Sequence, residues 1–132
     1  MAKKTISKLR KELDTIFSKF IRLRYASSEI AICFTCDKRD HWKKMQAGHF
    51  QSRRHTSTRW DIINVQVQCV KCNMFNQGEQ YTFGKLLDVR IGERTSEYLE
   101  WKSKQPTKMM RIDYEDAISF YKEKVKKLTD LC

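Results

Sequence analysis

Proline and glycine are scarce in this chain, where only Pro106 and four glycines interrupt 132 residues. Internal repeats and low-complexity tracts are absent too, which excludes a repeat protein or a chain of flexible linkers. No apolar run approaches the roughly 20 residues of a transmembrane helix. The first residues, MAKKTISKLRKEL, are charged throughout and lack the apolar stretch of a signal peptide. We therefore expect a single cytoplasmic domain, residues 1–132, with a modest hydrophobic core.

Acidic residues are few in the first half of the chain. Residues 1–73 contain 16 Lys/Arg against 6 Asp/Glu, whereas residues 74–132 contain 11 against 10. Most of the formal net charge of +11 therefore lies in the first half. A one-sided positive field of this size favours a polyanionic partner, most simply nucleic acid. The alternative is a well-solvated basic surface, because charge alone specifies no partner.

Histidine is also scarce, and all three histidines lie between two Cys-x-x-Cys pairs. The pairs are Cys33 with Cys36 and Cys69 with Cys72. Two such turns can close a four-thiolate shell around one zinc ion, although the 32 intervening residues exceed the usual ribbon spacing. Disulfides or a redox pair are the alternatives, but a cytosolic protein keeps its thiols reduced. We predict a structural zinc site and a free terminal thiol at Cys132.

The hydrophobic pattern predicts an α+β fold. Apolar residues recur at three- and four-residue steps in the first segment, which indicates an amphipathic helix. Short strands are expected at 30–32, 44–51 and 64–68, a polar loop at 53–61, and helices from Asn73 to near Gly92, at 95–104 and from Asp113 to Leu128. The domain then divides into an N-terminal helix (1–25), a zinc-bound core (30–92) and C-terminal helices (93–132).

The polar residues between the cysteine pairs suit phosphodiester chemistry. Cleavage requires an activated water and stabilisation of charge on the phosphate, which a histidine base and one divalent cation can supply. His49 ends a predicted strand, and Asn73 directly follows a zinc ligand, so both could face one cleft. Nearby arginines could clamp phosphates bidentately, namely Arg53, Arg54 and Arg59.

Each of these residues also has a simpler interpretation. His49 could be a surface residue or a substitute zinc ligand, and Asn73 could be only a helix N-cap. Asn64 could merely cap a turn, and His55 could be an ordinary loop residue. His41 is expected at an exposed knuckle tip, whereas the tryptophans are expected to pack, with Trp60 the one to watch for DNA contact.

Several short strings occur together in one order. They are Cys33-Phe34-Thr35-Cys36, Ala47-Gly48-His49-Phe50, Arg53-Arg54-His55, Thr58-Arg59, Asn64-Val65 and Gln68-Cys69-Val70-Lys71-Cys72-Asn73. The set resembles the phage NinG family, also called Rap, and more broadly the HNH, or ββα-metal, nucleases. The resemblance covers about residues 33–87 and continues more weakly into the last helices.

This resemblance implies a small zinc-stabilised ββα-metal (HNH) core flanked by N- and C-terminal helices. It implies a metal-dependent, structure-specific endonuclease that cuts branched recombination intermediates, such as Holliday junctions and D-loops, in the cytoplasm of a bacterial host. His49 matches the general base, Asn64 the asparagine that braces the loop and orients that base, and Asn73 a common ligand of the catalytic metal. Besides the structural zinc, the implied catalytic metal is Mg²⁺ or Mn²⁺.

One departure from the HNH pattern concerns the residue before the base. Many HNH nucleases have Asp or His there, whereas Gly48 offers no ligand, and Gly48→Asp is expected to tighten metal binding if space allows. The catalytic cation must then take oxygens from phosphate and water, or another side chain must help. The candidates are His55, Asp61 and Glu79, with His55 taken as a second metal ligand. Gly48 also keeps an alternative open, a noncatalytic zinc-finger DNA-binding recombination accessory protein.

Oligomeric state is the remaining expectation. Two coordinated cuts in a four-way junction suit a symmetric homodimer. The long terminal helices could form its interface, or they could pack on their own core.

Overall fold

A computed structural model of the chain describes residues 3–130, so Cys132 and its predicted free thiol lie outside the described residues. Within that range the fold is α+β, with two separate two-stranded sheets among helices. The helices are α1 Ile6–Leu23, α2 Thr56–Arg59, α3 Gln80–Arg90, α4 Thr95–Ser103 and α5 Arg111–Asp130, and the strands are β1 Ile30–Ile32, β2 Arg39–His41, β3 Gln46–His49 and β4 Val65–Gln68. A 3₁₀ turn covers Trp42–Lys44, and a π-helical turn covers Lys71–Phe75. No helix in 3–130 combines the length and apolarity needed to span a bilayer.

Helix α1 forms as its sequence pattern predicts. The Thr5 hydroxyl caps it by accepting a hydrogen bond from the Lys8 amide at 3.1 Å, which satisfies one of the free donors of the first turn. One face of the helix is buried, through Leu9, Leu13, Phe17, Ile21 and Leu23. Each such side chain contributes roughly 1.5–3 kcal/mol on burial, so α1 is a central element of the core.

The two terminal helices pack against each other within one chain. Leu9 and Leu13 of α1 form an apolar cluster with Tyr114 and Ile118 of α5. The chain therefore uses these apolar faces for its own core, which is one of the two roles expected for them. A homodimer stays a prediction.

The strand pair β3–β4 packs on the second half of α1. It is antiparallel, with Gly48 opposite Gln66 and His49 opposite Val65. The valine face packs on α1, where Val65 clusters with Phe17 and Ile21. Gln66 is buried as well, so β4 is covered on both faces rather than half exposed.

The first cysteine pair lies in a hairpin that the sequence pattern did not reveal. Strand β2 pairs antiparallel with β1, with Ile32 opposite Arg39, and the Cys33 amide donates to the Lys38 carbonyl at 2.8 Å. His41 ends β2 instead of forming an exposed tip. Its Nδ1 accepts from the Lys43 amide at 3.1 Å and thereby caps the 3₁₀ turn.

Two further expectations need correction. The segment expected as a polar loop (53–61) contains the short helix α2. The helix expected from Asn73 onward is interrupted, because the π-helical turn ends at Phe75 and α3 begins only at Gln80. Between them the backbone takes three consecutive positive φ values, at Gln77, Gly78 and Glu79, which a continuous helix cannot contain.

The last helix begins slightly earlier than expected. It starts at Arg111, and the Asp113 carboxylate accepts from the Met110 amide at 2.7 Å, so Asp113 caps the helix from inside its first turn.

Candidate metal centre and active-site cleft

Four cysteine side chains converge on one point. The Sγ atoms of Cys33, Cys36, Cys69 and Cys72 all lie within 4.8 Å of one another, and the four residues form no disulfide. The Sγ atoms of Cys36 and Cys69 are 3.6 Å apart, close to the roughly 3.8 Å that a tetrahedral site with Zn–S bonds of about 2.3 Å requires. The cluster can therefore hold a metal ion such as zinc, as its spacing predicted.

Backbone hydrogen bonds fix the two cysteine turns relative to each other. The Phe34 amide donates to the Val67 carbonyl at 2.8 Å, which docks the first turn on β4. Burial acts to raise the pKa of both the Cys33 and the Cys72 thiols, but the net shifts of the two have opposite signs. At Cys33, hydrogen bonds from Thr35 and from backbone amides outweigh burial and lower the pKa to about 6, whereas the pKa of Cys72 rises to about 12. Metal binding at neutral pH must therefore release protons from the cluster.

An open cleft of about 720 Å³ lies beside this centre. Four parts of the chain line it: α1, β3, the loop after β3 and the π-helical turn with the residues that follow it. The cleft brings together His49, Asn73 and Arg53, three of the residues that the sequence singled out, and adds Asp14 and Gln46.

His49 has a defined ring orientation. Its Nε2 lies 2.9 Å from the backbone oxygen of Arg59, so the Nε2–H donates there and the neutral ring leaves Nδ1 without a proton. Burial lowers the pKa of His49 to about 4, with a further lowering from the Arg53 charge, while the hydrogen bond to Arg59 opposes both. The ring is therefore neutral at pH 7 and can accept a proton at Nδ1.

Asn64 is buried outside the cleft, where it braces the loop after β3. Its Nδ2 donates to the carbonyls of Gln51 at 3.1 Å and Thr58 at 3.0 Å, and its Oδ1 accepts from the Gln51 amide at 2.7 Å. Asn64 thus ties the start of the loop to α2, the helix whose last residue, Arg59, holds the His49 ring.

Asn73 connects the metal centre to the cleft. Its amide donates to the Cys69 carbonyl at 3.0 Å, and its Nδ2 donates to Gln46 Oε1 at 2.7 Å. Within the described part of the chain, the side-chain oxygen of Asn73 accepts no hydrogen bond. That oxygen is free to contact a ligand in the cleft.

The three arginines have different environments. Arg53 is exposed and lines the cleft, and Arg54 is exposed but does not line it. Arg59, by contrast, forms an internal ion pair, because its Nε and Nη2 donate to the two carboxylate oxygens of Asp14. The ion pair leaves the Arg59 guanidinium less available than those of Arg53 and Arg54, and its contact with DNA stays a prediction.

Asp14 is the site residue that sequence reasoning missed. Besides Arg59 it accepts from Trp60 Nε1 at 3.0 Å, and the Trp60 ring packs against the apolar clusters of α1, as expected of the tryptophans. Asp14, Arg59 and His49 thus form a continuous chain from α1 to the imidazole ring. On sequence alone Asp14 is one polar residue on the solvent side of an amphipathic helix, so no signal marks it.

The three residues proposed to compensate for Gly48 do not line the cleft. His55 is the N-cap residue directly before α2, and its carbonyl accepts from the Arg59 amide. The carboxylate of Asp61 pairs with Lys102 and accepts from backbone amides, and Glu79 precedes α3 in a left-handed conformation. The prediction that His55 is a second metal ligand in the cleft is not supported by this geometry.

Gly48 itself has no space for a side chain. A Cβ built there would lie 1.8 Å from Gln68 Oε1, inside the space that this buried side chain fills. The Gln68 amide nitrogen is fixed by hydrogen bonds to Thr35 Oγ1 at 3.1 Å and to the Gly78 carbonyl at 2.9 Å. Gly48→Asp is expected to tighten metal binding only if space allows, and the structure offers no such space unless Gln68 moves.

Comparison with known proteins identifies the family. The family model described as the bacteriophage lambda NinG protein matches residues 1–130. No curated protein and no solved structure matches the chain. With the family match spanning nearly the whole sequence, the chain belongs to the family of the bacteriophage lambda NinG protein.

Proposed function

We propose that this protein is an HNH-type, metal-dependent endonuclease that cuts branched DNA, such as Holliday junctions and D-loops, during phage recombination. The observation that carries the proposal is the state of His49: a neutral ring with Nε2–H held by a carbonyl and Nδ1 free, in a cleft shared with Asn73 and Arg53. Such a ring is ready to act as a general base.

In the proposed mechanism His49 takes a proton at Nδ1 from a water that attacks the phosphorus atom. The P–O bond to the leaving strand breaks, and the leaving oxygen takes a proton from solvent. The Arg59 carbonyl keeps its hydrogen bond to Nε2–H and stabilises the positive ring that results. The low pKa of His49, about 4, makes it a weak base that is almost fully available at neutral pH. The reaction therefore depends strongly on stabilisation of the developing phosphate charge.

Asn73 is the residue that would bind the catalytic cation, because it lines the cleft and its side-chain oxygen, a suitable ligand type for Mg²⁺ or Mn²⁺, accepts no hydrogen bond within residues 3–130. When bound, such a cation would stabilise charge on the phosphate and on the leaving oxygen. Gly48 adds no ligand, so the remaining ligands would come from phosphate and water. The zinc of the four-cysteine centre would keep a structural role and hold Asn73 in place.

The exposed arginines at and beside the cleft would bind the DNA backbone. Arg53 stands at the cleft and Arg54 beside it, and both are exposed. About six phosphate contacts would make affinity for DNA fall roughly a thousandfold between about 50 and 200 mM salt.

A symmetric homodimer, which two coordinated cuts would favour, would appear as a doubled mass in sedimentation of the free protein.

A noncatalytic DNA-binding accessory protein is the second candidate. The observation in its favour is that, among residues 3–130, only the four cysteines form a cluster of three or more possible metal-binding Cys, His or acidic side chains. Such a protein would bind branched DNA through the same exposed arginines without cutting it.

The test compares wild type with His49→Ala on a labelled four-way junction with Mg²⁺ or Mn²⁺. His41→Ala is the matched control, because His41 lies outside the cleft. We expect cleavage to fall about 10²–10⁴-fold in His49→Ala with affinity retained, and to stay unchanged in the control. Equal cutting by both variants would exclude His49 as the base. Binding without cutting by the wild type, with either metal, would favour the accessory protein.

A further inference from the structure

Three large apolar side chains project into solvent next to the cleft. Met74 and Phe75 of the π-helical turn are 62% and 77% exposed, and Tyr81 at the start of α3 is 79% exposed. Asn73 and Gln77, from the same stretch of chain, line the cleft. We call Met74, Phe75 and Tyr81 the apolar rim. The stretch thus shows polar groups to the cleft and apolar groups to the outside.

The π-helical turn, which carries Met74 and Phe75 of the rim, is fixed at several points. The Asn76 amide donates to the Lys71 carbonyl at 2.9 Å, which closes the π-helical turn, and the Gly78 amide donates to the Cys72 carbonyl at 2.8 Å. Gln46 of β3 contacts Met74 Sδ at 3.3 Å through its amide nitrogen. Met74 and Phe75 are therefore held by the metal centre and by β3, whereas Tyr81 is held by α3. Rigid exposure of apolar groups next to a polar cleft is typical of a binding surface.

The charges around the rim fit a polyanion. Lys85 Nζ lies 5.3 Å from the Tyr81 ring centre, Lys71 opens the π-helical turn, and Arg53 lines the cleft. An apolar protein surface would need no such basic surround. A nucleotide needs both parts, because its phosphate pairs with cations and its base stacks on aromatic rings.

We propose that the apolar rim stacks on an unpaired base of the nucleic acid whose backbone occupies the cleft. The inference rests on the DNA substrate of the proposed function but not on cleavage. It gives a reason for branch preference: fully paired duplex keeps its bases stacked, whereas a branch point can present an unstacked base. Phe75 and Tyr81 supply the stacking faces, and Met74 fills the space beside Gln46.

The experiment measures binding and not cleavage. A His49→Ala background, in which cleavage is expected to be about 10²–10⁴-fold slower, limits cutting during the measurement. Phe75→Ala with Tyr81→Ala removes both rings. The probes are a four-way junction, a single strand carrying 2-aminopurine and a perfect duplex. We expect the double change to weaken binding of the single strand and the junction about tenfold or more. Binding to the duplex should change less than about twofold, and quenching of 2-aminopurine fluorescence should be lost.

The matched control is the exposed aromatic pair of α4. Tyr98 and Trp101 are 52% and 59% exposed and stack on each other, but neither lines the cleft. Tyr98→Ala with Trp101→Ala should leave all three affinities unchanged, and Phe75→Trp should retain binding. Equal weakening of duplex binding, or no weakening of binding to any probe, would overturn the proposal. The proposal would also fail if the double change reduced only the self-association of the protein and left DNA binding intact. If the rim behaves as expected but the wild type never cuts, the nuclease proposal alone fails.

Discussion

The metal centre and the cleft lie side by side, yet they are built in different ways. The centre uses four identical side chains from two local turns, and three of the four are buried. The cleft uses different side chains from four separate parts of the chain, and several of them face solvent. A site made by local turns can be recognised from its spacing, whereas a site assembled by packing depends on the whole fold.

The two regions are nevertheless joined. Cys72 belongs to the centre and Asn73 to the cleft, so adjacent residues serve both. The cleft has a second anchor on α1, where Asp14 holds Arg59 and Arg59 holds the His49 ring. The position of Asn73 should therefore depend on the metal, and the position of His49 on α1.

The largest expected effect separates the centre from the cleft. Cys69→Ser should remove the bound metal and unfold much of the protein, because metal binding supplies about 10 kcal/mol or more of folding free energy in small zinc modules. Asn73→Ala, four residues further on, should keep the metal and the fold but reduce cleavage. Metal content by elemental analysis and thermal unfolding by circular dichroism measure both variants. A folded, metal-free Cys69→Ser protein would show that the centre is dispensable.

A second change tests the close contact between β3 and β4 behind the cleft. Gly48→Asp should destabilise the protein by about 3 kcal/mol or more, because the new side chain overlaps Gln68 and brings an unpaired charge into a buried position. Urea unfolding gives the loss, and Gly48→Ala should show a smaller one. Tighter binding of Mg²⁺ or Mn²⁺ by a stable Gly48→Asp protein would mean that Gln68 moves aside.

The sequence predicted the elements whose signals are local. The apolar period revealed α1, the two cysteine pairs revealed the metal centre, and the strings around His49 and Asn73 marked residues that now share a cleft. It did not predict the π-helical turn, because a helical pattern continues through residues whose backbone leaves the helix at Gln77. It missed Asp14 and did not foresee the ion pair of Arg59 with Asp14 for one physical reason: an ion pair between distant segments leaves no trace in spacing.

The third prediction concerns acid stability. The pKa of His49 falls from about 6.5 to about 4 on folding. The unfolded chain therefore binds the proton first, and stability should drop as pH falls from about 6.5 to about 4, by about 3 kcal/mol in all. Above pH 6.5 the residue should have no effect on the pH dependence. His49→Gln should flatten this part of the profile, whereas His41→Gln should not. Identical wild-type and His49→Gln profiles would contradict the burial of a neutral His49.

The smallest expected effect tests the anchor on α1. Asp14→Asn keeps the acceptor for Trp60 Nε1 but weakens the ion pair with Arg59. Both partners are about one-fifth exposed, so the loss of stability should be only about 1 kcal/mol. Cleavage should fall more than stability, by about tenfold, because the Arg59 carbonyl is no longer fixed against His49 Nε2 and small misplacements of catalytic groups are costly. The pKa of His49 should fall further, since the Asp14 charge raises it. NMR titration of the His49 ring measures that shift without requiring catalysis.

Glu12→Gln is the control. Glu12 also lies on α1, but it pairs with Lys4 and Lys122 and does not line the cleft. An unchanged ring titration in Asp14→Asn would show that α1 supports the fold but does not position His49.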